Sequence, residues 1–185
     1  MSKTQENLRK AFAGESIART KYSIFAIAAR KEGYEGIARI FEETSGNEME
    51  HAERHLDFIE GDIAASIEYS IEPVGKTAEN LKAAIAGEDH ETREMYPGFE
   101  TIARQEGEDK IADIFREIGE VEEKHRDRYK QLLEHVEANT IFKRDQEIEW
   151  KCLNCGYVHR GNEAPEVCPA CGKPQAWYEP RAKNW

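Results

Sequence analysis

The sequence predicts an all-α four-helix bundle followed by a small, loop-built metal domain. Three observations predict it. Apolar residues make up 39% and charged residues 34% of the 185-residue chain, the balance of amphipathic helices with a buried stripe and a charged exterior. An internal repeat divides the first three quarters of the chain into two similar halves. All four cysteines, Cys152, Cys155, Cys168 and Cys171, fall into two Cys-x-x-Cys pairs near one end.

The repeat sets out the elements in order. Asn7-Leu8 and Ala13-Gly14-Glu15 return as Asn80-Leu81 and Ala86-Gly87-Glu88. Ile27 to Gly33 matches Thr101 to Gly107, and Ile37 to Phe41 matches Ile111 to Phe115. Glu48-Met49-Glu50-His51 matches Glu122-Glu123-Lys124-His125. Thr4 and Thr77 hold the same repeat position and read as helix N-caps, where a side-chain oxygen satisfies a free backbone N–H. Gly33 and Gly107 read as left-handed residues that end a helix. Helices are expected near 4–32, 35–63, 77–106 and 109–139. Short turns make the members of each pair antiparallel. Ala64 to Lys76, with Pro73 and Gly75, is the crossover between halves, and two helical hairpins joined by a crossover describe a ferritin-like bundle.

Gly33 and Gly107 lie one residue further apart than Glu15 and Glu88, so one extra residue has entered the third helix. Pro97-Gly98 is the natural place, because proline cannot continue the hydrogen-bond ladder. A kink or π-bulge is expected there, a defect often found near functional sites. Lys143 to Glu149 is charged, lacks helical spacing and reads as a linker. From Trp150 the chain turns rich in Cys, Gly, Pro and aromatics. The expected domains are 1–142 and 147–185.

The net charge of -11 argues against a nucleic-acid partner, which needs a basic face. No apolar run reaches membrane-spanning length, and Met1 to Lys10 lacks a signal-peptide stretch, so the expected location is the cytoplasm. Paired cysteines in that setting read as metal ligands rather than disulfides.

The chemistry lies in the carboxylates. Glu48 with His51, Glu88 with Glu91, and Glu122 with His125 are each three residues apart, on one helical face. Each pair presents two ligands to one point. Glu15, the repeat partner of Glu88, adds one more from the first helix. With 37 acidic residues a single such pair means little, and a charged surface explains it equally well. The set is more specific, because two Glu-x-x-His pairs recur at equivalent positions on the second and fourth helices. This is the pattern of carboxylate-bridged two-metal bundles. Ile17, Ile40, Phe41, Ile85, Ile114, Phe115 and Ile118 surround the candidates at helical spacing, and glutamates buried among them need cations. Oxygen and imidazole ligands suit iron or manganese. His55, His90, His135 and His159 read as surface or packing residues.

Each cysteine knuckle carries a glycine after its second cysteine, Gly156 and Gly172, which permits the tight turn around a metal. Four thiolates imply a tetrahedral site. A structural zinc ribbon and an iron centre are both compatible with it. Tyr157, Trp177 and Tyr178 are the expected aromatic core.

These residues resemble the rubrerythrin family across essentially the whole chain. The resemblance rests on Ala13-Gly14-Glu15, Glu48 to His51, Ala86 to Glu91, Met95-Tyr96-Pro97, Glu122 to His125 and the cysteine knuckles. It implies a di-iron centre with Glu48 and Glu122 bridging the irons and Glu15, Glu88 and His125 as terminal ligands. It further implies that Glu91 binds one iron in the oxidised state and His51 replaces it in the reduced state. An extra carboxylate then balances part of the charge gained on oxidation, whereas a neutral imidazole suits the reduced pair. Ala18 stands where the first half would carry the counterpart of Glu91, so the symmetry breaks at the switching residue. Tyr22 and Tyr96 match tyrosines that hydrogen-bond the ligands, and the cysteines match a rubredoxin-like Fe(Cys)4 centre.

The function implied is a peroxidase that reduces hydrogen peroxide to water and protects against oxidative stress. Electrons pass through the cysteine centre from rubredoxin or an NAD(P)H-dependent reductase, since the chain has no glycine-rich dinucleotide motif of its own. A homodimer or higher homo-oligomer is implied as well. Competing readings are a ferroxidase or dioxygen reductase, and a non-catalytic iron store or zinc-ribbon adaptor.

Overall fold

A computed structural model describes residues 2–62 and 66–183. Helix α1 spans Lys3–Lys31, α2 spans Glu35–Leu56, and a third long helix is built from α3 (Thr77–His90), a π-helical turn (Glu91–Met95) and α4 (Tyr96–Gln105). Helix α5 spans Asp109–Glu137. The expected bundle is therefore present, with α1 packed on α2 and the α3–α4 rod packed on α5. Gly33 and Gly107 have φ of 85° and 79° and close α1 and α4 as left-handed residues, a backbone conformation that residues with a side chain rarely adopt.

The helix starts differ from expectation. Ser2 and Lys76 occupy the N-cap positions, and Thr4 and Thr77 lie inside the first turns. The reason is tertiary. The Glu106 carboxylate accepts from Lys3 N and Thr4 N at 3.0 and 2.8 Å, and Glu32 accepts from Thr77 N at 2.8 Å. Glu32 and Glu106 precede the two repeat glycines, so each half caps the other. A carboxylate at a helix N-terminus satisfies free N–H groups and complements the helix dipole.

Helix α2 stops at Leu56 rather than near residue 63, which itself lies outside the described residues. Side chains of α1 take over the backbone there. Gln5 donates to Phe58 O and accepts from Glu60 N, while Arg9 donates to the carbonyls of Glu60 and Gly61. Of the crossover, Ala64 and Ala65 lie outside the described residues, and Ser66 to Lys76 forms neither helix nor strand.

Two apolar clusters fill the bundle. One contains Tyr22, Phe25, Phe41, Leu81 and Tyr129, and the other contains Leu8, Tyr96, Ala103, Phe115 and Ile118. Leu8 and Leu81, repeat partners, are both sealed from solvent. Truncating such a leucine to alanine costs about 2–5 kcal/mol. Among the described residues, no helix is long and apolar enough to cross a membrane.

Lys143 to Glu149 is not a linker. It opens strand β1 (Lys143–Cys152), the centre of a three-stranded antiparallel sheet ordered β2-β1-β3, with β2 at Val158–Glu163 and β3 at Tyr178–Pro180. Lys143, Asp145, Glu147 and Lys151 are exposed, while Ile148 and Trp150 turn inward. Trp150 is fully buried and donates to Gly161 O at 3.0 Å, joining Tyr178 and the partly buried Tyr157 and Trp177 in the core. The domain rests on the bundle. Phe142 stacks on Tyr34 at 6.3 Å, and the Arg39 guanidinium lies 5.7 Å from the Trp177 ring centroid.

Candidate metal centre

Five segments converge between the two apolar clusters. Helix α1 brings Glu15, α2 brings Glu48 and His51, and α3 brings Glu88. The π-turn begins with Glu91, and α5 brings Glu122 and His125. Glu15, Glu48, Glu88 and Glu122 are 1% exposed or less. Helical spacing of three places each Glu and His of a pair on the same face.

The ligand atoms form two overlapping sets. Glu15, Glu48, His51 and Glu122 offer atoms within 4.8 Å of one another, and so do Glu48, Glu88, Glu122 and His125. Glu48 and Glu122 belong to both, so each can bridge. His51 Nδ1 lies 2.9 Å from Glu48 and 2.8 Å from Glu122. His125 Nδ1 lies 2.7 Å from Glu122 and 3.3 Å from Glu48, and the two imidazoles stack at 6.0 Å.

These residues fit a pair of metal ions. Apart from the imidazole–carboxylate contacts among themselves, Glu15 Oε2, both oxygens of Glu48 and of Glu122, Glu88 Oε2 and the Nδ1 atoms of His51 and His125 are buried without a hydrogen-bond partner. Buried acceptors left unpaired are costly, and convergent ones are satisfied together by cations. Electrostatics says the same. Burial, then neighbouring carboxylates, push Glu15, Glu88 and Glu91 well above the usual carboxylate range. Burial also opposes charge on Glu122, but His125 and His51 outweigh it and hold Glu122 low. The same contacts overcome the burial of the imidazoles and raise His51 to about 10 and His125 to about 9.

Glu91 stands apart. It is half-buried, belongs to neither four-residue set, and feels the charges of Glu15, Glu122 and Glu48. It lines a cavity of about 700 Å³ together with Gly14, Gly87, Tyr69 and Met95. The structure therefore groups His51, rather than Glu91, with Glu15.

Two tyrosines reach across the halves. Tyr22 donates to Glu88 Oε1 at 2.5 Å, and Tyr96 donates to Glu15 Oε1. The π-turn explains the second bond, because an extra residue rotates Tyr96 onto the face that Glu15 occupies.

His55 is not a surface residue but a packing one, and it carries a hydrogen bond besides. It is fully buried one turn beyond His51, with Nε2 3.0 Å from the Tyr96 hydroxyl. Burial lowers its imidazole to about 3, so the ring is neutral. Its spacing of four from His51 was the available signal, because it puts both rings on one face. The other histidines do sit outside the centre. His90 is exposed against Glu94, His135 bonds Thr140, and His159 lies in β2.

At the far end, the four cysteine sulfurs lie within 4.8 Å of one another. Cys152 and Cys171 are 3.8 Å apart, and Cys155 and Cys168 are 3.7 Å apart. Gly156 and Gly172, with φ of 80° and 71°, donate to Cys152 O and Cys168 O and wrap both knuckles around one point. That is the tetrahedral four-thiolate arrangement.

Comparison with known proteins agrees over both parts. Residues 6–133 match the rubrerythrin family model, and residues 150–179 match the rubrerythrin rubredoxin-like domain. The chain is 50% identical to a rubrerythrin of Porphyromonas gingivalis over 100% of its length and 92% of the relative's. It is 44% identical to a rubrerythrin of Nitratidesulfovibrio vulgaris, covering 100% of this chain and 97% of that one. A solved structure of nigerythrin in a partially reduced state superposes with a TM-score of 0.67 at 34% identity, over 98% of this chain and 87% of the other. With its two overlapping carboxylate–imidazole sets and its four-cysteine site, the chain belongs to the rubrerythrin family of di-iron proteins with a rubredoxin-like domain.

Proposed function

We propose that the chain is a peroxidase that reduces hydrogen peroxide to water. The O–O bond breaks, two electrons and two protons are taken up, and two waters leave. The carrying observation is the place of Glu91, a carboxyl beside both metal sets, in neither of them, at the wall of an open cavity. When bound, a pair of irons at Glu15, Glu48, His51, Glu88, Glu122 and His125 supplies the electrons, one from each. The protein supplies binding, orientation and proton placement.

Each residue has a distinct task. Glu48 and Glu122 hold the two positions together, and Glu15 and Glu88 close the two ends. Glu91 holds a proton beside incoming peroxide while His51 completes the Glu15 set, since burial and neighbouring carboxylates favour its neutral form. With an oxidised metal pair bound, Glu91 would serve as a carboxylate in place of His51, and its negative charge would offset the added positive charge. Tyr22 and Tyr96 keep the terminal carboxylates aimed.

Cys152, Cys155, Cys168 and Cys171 would hold an iron, which would supply one-electron relay from a rubredoxin or an NAD(P)H-linked reductase. Within one chain this domain docks near Arg39, nine residues before Glu48 on α2, or about 14 Å of helix rise. A homo-oligomer that brings the cysteine domain of one subunit to the bundle of another shortens that path.

The test is metal analysis and a visible spectrum of the isolated protein, then addition of peroxide or dioxygen to the reduced form. About three irons per chain and faster reoxidation by peroxide support the reading. Faster reoxidation by dioxygen, or zinc on the cysteines with no visible colour, overturns it.

A further inference from the structure

The two metal positions are not supported equally. Tyr96, which holds Glu15, has a second partner in His55, whose Nε2 lies 3.0 Å from its hydroxyl. His55 is sealed from solvent, and its ring packs against Tyr96 at 5.9 Å and against Phe115 at 5.6 Å. On the other side of the pseudo-two-fold, the counterpart of His55 is Tyr129, offset like Gly33 and Gly107. Tyr129 is also fully buried and packs edge-on against Tyr22 at 5.5 Å, yet its hydroxyl makes no hydrogen bond to Tyr22. Glu15 is thus backed by two linked groups and Glu88 by one.

Proton accounting sets the direction of the bond. A metal-bound Glu15 is ionised and can only accept, so the single Tyr96 proton points to it. The Tyr96 oxygen is then free to accept, and His55 must donate through Nε2–H. The remaining ring nitrogen, Nδ1, has no partner. As a bare acceptor it is tolerable, whereas a buried N–H without a partner is rarely found. Linked hydrogen bonds polarise one another, so the phenol donates more strongly than it would alone.

We propose that His55 is a positioning residue that acts through Tyr96 to orient Glu15 and so makes the two metal positions unequal in affinity. The inference rests on the metal-binding reading of the centre and is indifferent to the oxidant.

The test uses the full chain loaded with zinc, which is diamagnetic, and titrated separately with cobalt, whose visible bands report each position. Nitrogen-15 spectra of the zinc form should show His55 as the neutral Nε2–H tautomer, and an Nδ1–H tautomer overturns the proposal without any variant. His55→Leu should weaken one of the bundle's two cobalt-binding steps about 10-fold and leave the other, and the separate thiolate step at the cysteines, unchanged. His55→Gln, which keeps a donor, should recover part of that loss. Tyr96→Phe with His55→Leu should be no worse than Tyr96→Phe alone, because both break one chain. Equal weakening of both steps, or additive losses in the double variant, overturns the proposal. Failure of the wild-type bundle to bind either metal would refute the metal reading itself.

Discussion

The Tyr22 phenol, carried by the first half of the chain, donates to Glu88 of the second half at 2.5 Å. Tyr96 of the second half answers by donating to Glu15 of the first. Glu15 and Glu88 are therefore each aimed by the opposite hairpin, as each hairpin's first helix is capped by the glutamate of the other. The metal centre and the docking of the halves are one structural problem.

Removing the phenol should loosen a ligand without unfolding the bundle. Tyr22→Phe keeps the ring contacts with Phe25, Phe41 and Tyr129 and deletes the bond to Glu88. Metal affinity should fall about 10- to 100-fold at one position. Calorimetric metal titration measures it, and unchanged affinity would show that Tyr22 serves packing alone.

Glu91→Ala should separate loading from turnover. Glu91 lies outside both four-residue sets, so iron content should stay near two per bundle. Peroxide-driven oxidation of the reduced protein should slow by at least about 100-fold, in the range of a lost acid–base group. Loss of the iron would instead make Glu91 a structural ligand.

Cys168→Ser should break the electron supply and spare the bundle. Cys168 is buried in the core of the cysteine domain, 3.7 Å from Cys155. The visible thiolate–iron bands should disappear. A single oxidation of pre-reduced protein by peroxide should persist, while continuous turnover with an NAD(P)H-linked reductase should stop. Stopped-flow and steady-state rates on one preparation distinguish these outcomes.

Acid should release the Glu106 cap. Hydrogen bonds from Thr4 and from the Lys3 N–H hold Glu106 down at about 2, against an ordinary value of 4.5. A depressed carboxylate contributes stability that is fully present above its unfolded pKa and is lost as pH falls through the folded one. The difference in Tm between wild type and Glu106→Gln should be constant above about pH 5 and shrink between about pH 4.5 and pH 2. A difference that does not change with pH would assign the cap to geometry rather than charge.

Much of the bundle was legible before any coordinates. Helical period, the repeat and the glycines at 33 and 107 are local signals, so four helices and their pairing followed from them. The extra residue in the third helix was visible as a changed repeat offset, but the structure places it in the π-turn at Glu91–Met95 rather than at Pro97-Gly98, which sit in the first turn of α4 where proline is tolerated. The convergence of the carboxylates and imidazoles was legible because spacing of three on a helix sets which side chains share a face. The cysteine knuckles were legible because a chelating pair and its glycine turn are contiguous in sequence.

What stayed hidden depends on contacts between distant segments. Charged residues from Lys143 onward gave no sign of a strand, because β1 is defined by its pairing with β2 and β3. The helix starts shifted because Glu32 and Glu106 cap from across the bundle, and α2 ended early because Gln5 and Arg9 took its backbone partners. His55 looked like any helical histidine until Tyr96 and Phe115 closed around it. By itself the sequence determined the helices, the repeat and the ligand residue types, since these obey periodicity along one chain. Only the tertiary structure decided which residues cap, which histidine is buried, and that Glu91 rather than His51 stands outside the grouped ligands. Those outcomes are set by burial and by hydrogen-bond partners brought from dozens of residues away.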